Sequence, residues 1–138
     1  PMGWQIEYLE HAQTVVIKTS GSQDIAMARQ MVVEAGDLAA KFSGKRFLKD
    51  DRDSVLKLTT VEIYGFPRLL LEGGIPQDSR IAVIKNSVPS QAADFEFFKT
   101  RMYNEGMPDV RILPGSREEG LDWLLGPKPA KTGPLPPP

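Results

Sequence analysis

The sequence contains no cysteine and only one histidine, His11, in 138 residues. Without thiols there is no disulfide framework, no thiolate nucleophile and no Cys-ligated zinc or iron–sulfur site. One imidazole cannot build a two-His metal site or a His-Glu-x-x-His motif, and no Ser-His-Asp constellation is apparent. Between Glu10 and Gln13, His11 reads as an exposed turn residue. No apolar run approaches the roughly 20 residues that span a bilayer. The first residues lack the basic segment and apolar core of a signal peptide. A cytoplasmic protein without a transmembrane segment is therefore expected. An excess of one charge is missing too: the formal net charge is −1, and setting aside the tail lysines Lys128 and Lys131 leaves −3. A mildly acidic body lacks the clustered Lys and Arg that phosphate backbones require, so no nucleic-acid partner is expected. Neither Gly-x-Gly-x-x-Gly nor a Walker Gly-Lys-Ser/Thr occurs, and Ser20-Gly21-Ser22 reads as a helix-capping loop.

What is present divides into three parts: a short N-terminal segment, 1–3, in which Pro1 reads as a cloning remnant ahead of Met2; a body, 4–125; and a Pro-rich flexible tail, 126–138. Trp4, Ile6 and Tyr8, then Val15 and Ile17, alternate with polar neighbours, which predicts a hairpin of two strands. Ile25, Ala28, Val32, Ala35, Ala39 and Phe42 recur at helical spacing and predict an amphipathic helix. A third strand is expected over Arg46–Lys49, followed by a charged, solvated and mutually neutralising loop through Asp50, Asp51, Arg52 and Asp53. Thr59 and Glu62 have capping-box spacing, so a helix should start near Thr60. Pro67 should break it into segments over Val61–Tyr64 and Pro67–Glu72.

Arg80–Lys85 is continuously apolar at its centre, as in a parallel strand covered on both faces. Pro89-Ser90 opens a helix carrying Phe95, Phe98 and Met102 on one side, which Gly106 and Pro108 stop. Val110–Leu113 is the last strand. Ser116 and Glu119 have capping-box spacing before the final helix with Leu121, Trp123, Leu124 and Leu125. The order predicts an α/β domain with a mainly parallel sheet of about five strands, an antiparallel first strand and four helices, the broken one counted once.

The hairpin start, Phe47-Leu48-Lys49-Asp50-Asp51-Arg52, the Arg80–Lys85 strand, Phe95-Glu96-Phe97-Phe98 with Asn104-Glu105-Gly106, and Glu118-Glu119-Gly120-Leu121-Asp122-Trp123-Leu124 together resemble the STAS and SpoIIAA-like proteins, especially their bacterial STAS/SEC14-like branch. The resemblance covers roughly Trp4 to Leu125 and implies a single SpoIIAA-like domain. Members with the SpoIIAA role are anti-sigma factor antagonists switched by phosphorylation of a serine in an Asp-Ser-Ser-Gly-like turn. At the matching position this chain has Asp50-Asp51-Arg52-Asp53-Ser54, so no phosphoswitch is assigned.

The leading expectation is a non-catalytic binding or regulatory domain with a small-molecule or protein partner. Its contact residues would be Asp51, Arg52, Thr59, Thr60, Asn86 and Ser87, in loops at the C-terminal strand ends. The SEC14 side of the resemblance implies an alternative, a lipid or apolar ligand held among Ile63, Tyr64, Phe66, Leu69 and Leu70. A second alternative is a Mg²⁺-dependent enzyme using the Asp50–Asp53 loop. No catalytic residue, resident metal site or cofactor is assigned, and a homodimer is compatible with the sequence.

Overall fold

Period-2 alternation at the start of the chain produces β1 (Gly3–Leu9) and β2 (Thr14–Gln23), paired antiparallel with Ile6 opposite Ile17. The computed structural model describes residues 3–127. Pro1 and most of the expected Pro-rich tail lie outside the described residues. Helix α1 (Ile25–Phe42) follows, then β3 (Arg46–Leu56), α2 (Thr60–Tyr64), α3 (Phe66–Glu72) and β4 (Arg80–Ile84). A 3₁₀ turn over Pro89–Gln91 leads into α4 (Ala92–Asn104), β5 (Val110–Leu113) and α5 (Arg117–Leu125).

The five strands lie in sequential order, with β1 antiparallel and β2 to β5 parallel. This is the expected α/β architecture. The helix broken ahead of Pro67 becomes two helices, α2 and α3, which raises the expected four to five. Thr59 and Glu62 complete the expected capping box: the Thr59 hydroxyl accepts from the Glu62 amide, and the Glu62 carboxylate accepts from the Thr59 amide.

Two boundaries differ from expectation for one reason. Strand β3 continues to Leu56 instead of ending at Lys49, and β2 runs on to Gln23 beside it. Ser20, Gly21 and Ser22 are therefore strand residues paired with Asp53, Ser54 and Val55. Asp24 caps α1 in their place, accepting from the Met27 amide at 2.9 Å. The charges in β3 satisfy one another across the sheet faces, so they do not terminate the strand.

Right-handed crossovers that always step the same way across a sheet lie on one face. Accordingly α1, α3 and α4 cover one face, where Met31, Val32, Leu70, Phe95 and Met102 pack on Val15, Ile17, Phe47, Ile81 and Val83. The other face has a smaller core of Val16, Leu48, Ala82, Ile84 and Leu113 under Leu124 of α5. Buried Arg80 fastens α5 at its C-terminal end. Its Nη1 donates to the Leu124 and Gly126 carbonyls at 3.2 and 2.8 Å, and its guanidinium lies 4.4 Å from the Trp123 ring centre. Arg80 Nε and Asp109 Oδ2 are 2.9 Å apart, a charge contact without hydrogen-bond alignment.

Helices α1 and α3 meet through glycine. A Cβ on Gly36 would sit 2.0 Å from the Gly73 carbonyl oxygen, backbone that cannot rotate away. Alanine would ordinarily favour the interior of a helix such as α1. Here the clash dominates, and Gly36→Ala should destabilise the protein by about 1–3 kcal/mol, the usual range for overpacking. Urea unfolding followed by circular dichroism measures this; an unchanged or raised midpoint would refute the tight α1–α3 contact.

Candidate functional site

Consecutive residues of a strand face opposite sides, so the charged run in β3 divides between two environments. Lys49 and Asp51 follow Phe47 on the face covered by α1 and α4, while Asp50 follows Leu48 towards α5. The pairing of β2 with β3 slips by one residue here: Lys18 lies opposite Asp50 and Ser20 opposite Asp53, leaving Asp51 and Arg52 against Thr19 alone. Such a bulge re-aims side chains. Alternation along the strand lets one short stretch supply two separate polar clusters.

On the first face Asp51, only 1% exposed, is held from three sides. Its Oδ1 accepts from the Thr19 hydroxyl at 2.6 Å and the Gln23 amide at 3.4 Å, and its Oδ2 accepts from the Lys49 ammonium at 2.8 Å. Lys49 also donates to Gln23 Oε1 at 2.7 Å. Gln23 extends the chain to the Ser54 hydroxyl, while the Ser54 carbonyl accepts from Asn86 Nδ2 at 3.0 Å. Asn86 reaches Gln91 Oε1, and Gln91 pairs with both the amide and the carbonyl of Leu56. Buried polar groups are tolerated when fully paired, and this network closes the C-terminal ends of β2, β3 and β4.

On the second face Arg52 grips Asp50 with two parallel bonds, Nε to Oδ1 at 2.9 Å and Nη2 to Oδ2 at 2.8 Å. The Arg52 amide adds a third bond at 3.2 Å, and Lys18 lies 3.5 Å and Arg117 3.9 Å from the same carboxylate. Lys18 also pairs with exposed Asp53 at 2.8 Å. Burial pushes the Asp50 carboxyl up, but the Arg52 bonds and the Lys18 charge outweigh it and leave its pKa below the ordinary value. The Arg52 guanidinium is correspondingly held more firmly protonated by its bond to Asp50. Glu118, in α5's first turn, is also lowered by hydrogen bonds from its own amide and the Ser116 hydroxyl.

Beneath α2 and α3 lies a cavity of about 80 Å³. Ile17, Phe47 and Val83 form its floor, Met31 and Phe95 its sides, and Ile63, Phe66 and Leu70 its cover. Lys49, Asp51 and Asp94 are the charged residues that reach its wall. The cover is tied to α4 by Arg101, which donates from Nε to the Tyr64 carbonyl at 3.1 Å, stacks 3.7 Å over the Tyr64 ring centre and pairs with Glu105 at 2.8 Å. Phe66 meets Phe98 of α4 edge-on at 5.9 Å.

This layering also exists in solved structures. The chain resembles an uncharacterised DUF3478-family protein with a SpoIIAA-like fold from Shewanella loihica PV-4, with a TM-score of 0.56 and 20% identity over 88% of this chain and 92% of that one. It resembles the unphosphorylated anti-sigma factor antagonist SpoIIAA with a TM-score of 0.51 and 17% identity, over 87% and 96%. The fold is SpoIIAA-like. No protein-family model and no curated protein sequence matches the chain.

Within this SpoIIAA-like fold the six expected contact residues do not form one site. Asp51 and Asn86 are buried members of the same hydrogen-bond network. Arg52 belongs to the opposite face with Asp50. Thr59 is occupied as the cap of α2, Thr60 is its exposed first residue, and Ser87 is exposed. The expected solvated loop is instead strand, with Asp50 and Asp51 buried and Arg52 and Asp53 exposed, because Lys49, Arg52 and Lys18 neutralise the two buried carboxylates. Asp50, Asp51 and Asp53 do not converge on one cation, and no group of three His, Asp or Glu side chains does so among the described residues.

Sequence reading missed Gln23, Lys49 and Gln91 as network members. The alternation Phe47, Lys49, Asp51 would have placed the charges on the core side had β3 been extended.

A carboxyl whose folded pKa lies below its unfolded value of 3.8 contributes stability that is present above that value and lost as pH falls through the folded pKa. Asp50→Asn should therefore lower the urea midpoint most near neutral pH, with the gap to wild type narrowing below about pH 4. A gap that stays constant down to strongly acidic pH would contradict the Asp50–Arg52 linkage.

Proposed function

We propose that the protein is a non-catalytic binding domain that takes a small apolar ligand in the cavity beneath α2 and α3. The carrying observation is the cavity itself, roofed by two short helices and lined almost throughout by Ile, Val, Met, Leu and Phe. Its volume is about 80 Å³. That is roughly half of the 150 Å³ that admits benzene in an engineered apolar cavity. A ligand of only a few carbons fits this volume, and a longer one requires the α2–α3 cover to move outward. The buried carboxylates Asp50 and Asp51 are each engaged in ion pairs within the sheet. This arrangement supports binding over a reaction that uses either group as acid or base.

A protein partner is the second reading, in which the domain acts as a regulatory module. Val61 and Tyr64, on one side of α2, are 80% and 57% exposed. Exposed apolar pairs of this kind favour an interface. SpoIIAA, whose fold is similar, is an anti-sigma factor antagonist. Val61→Glu should weaken such a partner while leaving small-molecule binding intact.

The cavity reading predicts that small apolar compounds such as cyclopentane raise the melting temperature in a concentration-dependent way. At a hundredfold excess over Kd the gain is about 2.7 kcal/mol. Ala28 is buried and lines the cavity. Ala28→Leu should fill the space and abolish the shift. No shift with any small apolar compound, or the same shift in the filled variant, would defeat the proposal.

A further inference from the structure

Lys49 is out of place by the ordinary logic of a sheet core. It projects from the central strand onto the same face as Phe47, beside Ile17 and Val83, and its side chain is only 18% exposed. Desolvating an ammonium is costly even with a counter-ion, and an apolar pair of similar volume is often at least as stable. A structural role is served by the contacts with Asp51 and Gln23, yet those contacts do not use the whole group. An ammonium has three N–H donors. Among the described residues two acceptors meet it, Gln23 Oε1 at 2.7 Å and Asp51 Oδ2 at 2.8 Å.

Its neighbours are fixed. Asp51 is held on its other oxygen by Thr19 and Gln23, and Gln23 is held by Ser54, so the ammonium is positioned by a network anchored in β2 and β3. Lys49 and Asp51 both reach the wall of the cavity that Ile63, Phe66 and Phe95 enclose. The cavity is thus an apolar chamber with one oriented, charged donor at its edge.

The remaining charges restrict what that donor can receive. The wall carries one cation, Lys49, and two anions, Asp51 and Asp94. A carboxylate or phosphate ligand would meet a net negative wall, with Asp51 already 2.8 Å from the ammonium. A neutral oxygen acceptor meets no such repulsion.

We propose that Lys49 is the polar anchor of the cavity, and that the ligand class is a neutral apolar molecule bearing one oxygen acceptor, such as a ketone, aldehyde, ester or ether. This rests on the reading of the cavity as a ligand site and adds the chemistry of the ligand to it. Lys49 binds the ligand oxygen by a hydrogen bond, Asp51 and Gln23 hold the ammonium in place, and the apolar wall takes the hydrocarbon. No covalent step is involved.

The test uses three probes on the protein: xenon, which reports an accessible apolar cavity, and the matched pair butanone and 2-methyl-1-butene, which differ by carbonyl oxygen against methylene. Affinities are read by titration, together with the ¹⁵N signal of the Lys49 ammonium. Leaving water costs the ketone more than the alkene. A ketone that binds as tightly as the alkene or tighter, and that shifts the Lys49 signal, is the expected result. In Lys49→Met/Asp51→Asn, which removes both charges together, the ketone-to-alkene affinity ratio should fall about tenfold, the scale of a hydrogen bond to a charged donor.

If xenon and the alkene bind but the ketone binds more weakly or leaves the Lys49 signal unmoved, the anchor is refuted and the apolar cavity stands. If none of the three binds, both readings fall. Should the double variant not fold, the ketone–alkene comparison and the Lys49 signal in the wild-type protein decide the matter alone.

Discussion

A central parallel strand that buries Asp50 and Asp51 beside Lys49 must neutralise those charges where they point. Breaking one partner of a buried ion pair typically costs about 3–5 kcal/mol, enough to threaten a domain whose whole stability is of order 10 kcal/mol. Lys49 with Asp51 on one face, and Arg52 with Lys18 around Asp50 on the other, meet that requirement. Because they do, β2 and β3 remain paired to Gln23 and Leu56. The start of α1 at Asp24 and the short connection into α2 both follow from that length.

Much of the architecture was legible because it rests on local patterns. The hairpin alternation, the helical spacing from Ile25 to Phe42, the apolar centre of β4 and the break before Pro67 each carry their signal within a few residues. The end of β3 was not legible, since five charged residues in succession, Lys49 to Asp53, ordinarily mark a solvent-facing loop. What keeps them in the sheet is their partners: Thr19 and Gln23 lie some thirty positions away from Asp51 and are brought alongside only by parallel pairing. The dispersal of the six expected contact residues has the same origin. Loop residues were expected to gather at one edge, whereas the alternation of an extended strand sends Asp50 and Asp51 to opposite faces. Of the apolar group expected under the broken helix, Ile63, Phe66 and Leu70 line the cavity, whereas Leu69 does not and Tyr64 is exposed.

The same strand therefore serves two purposes. Phe47 contributes to the floor of the cavity, Lys49 and Asp51 form part of its charged rim, and Asp50 ties the strand's reverse side towards α5. Cavity and network share a wall at Lys49 and Asp51. This is a compact way to give an otherwise apolar chamber an orientation.

The sequential strand order places the three crossovers on one side and, among the described residues, leaves the reverse side to one nine-residue helix that follows the five strands. During synthesis the sheet can assemble in the order in which it is made, each strand joining its predecessor. Val16, Leu48, Ala82 and Ile84 nevertheless have no cover from α5 until its residues leave the ribosome. The interval between completing β5 and docking α5 is when the growing chain presents a bare apolar sheet face, and it is then most exposed to aggregation or to capture by a chaperone.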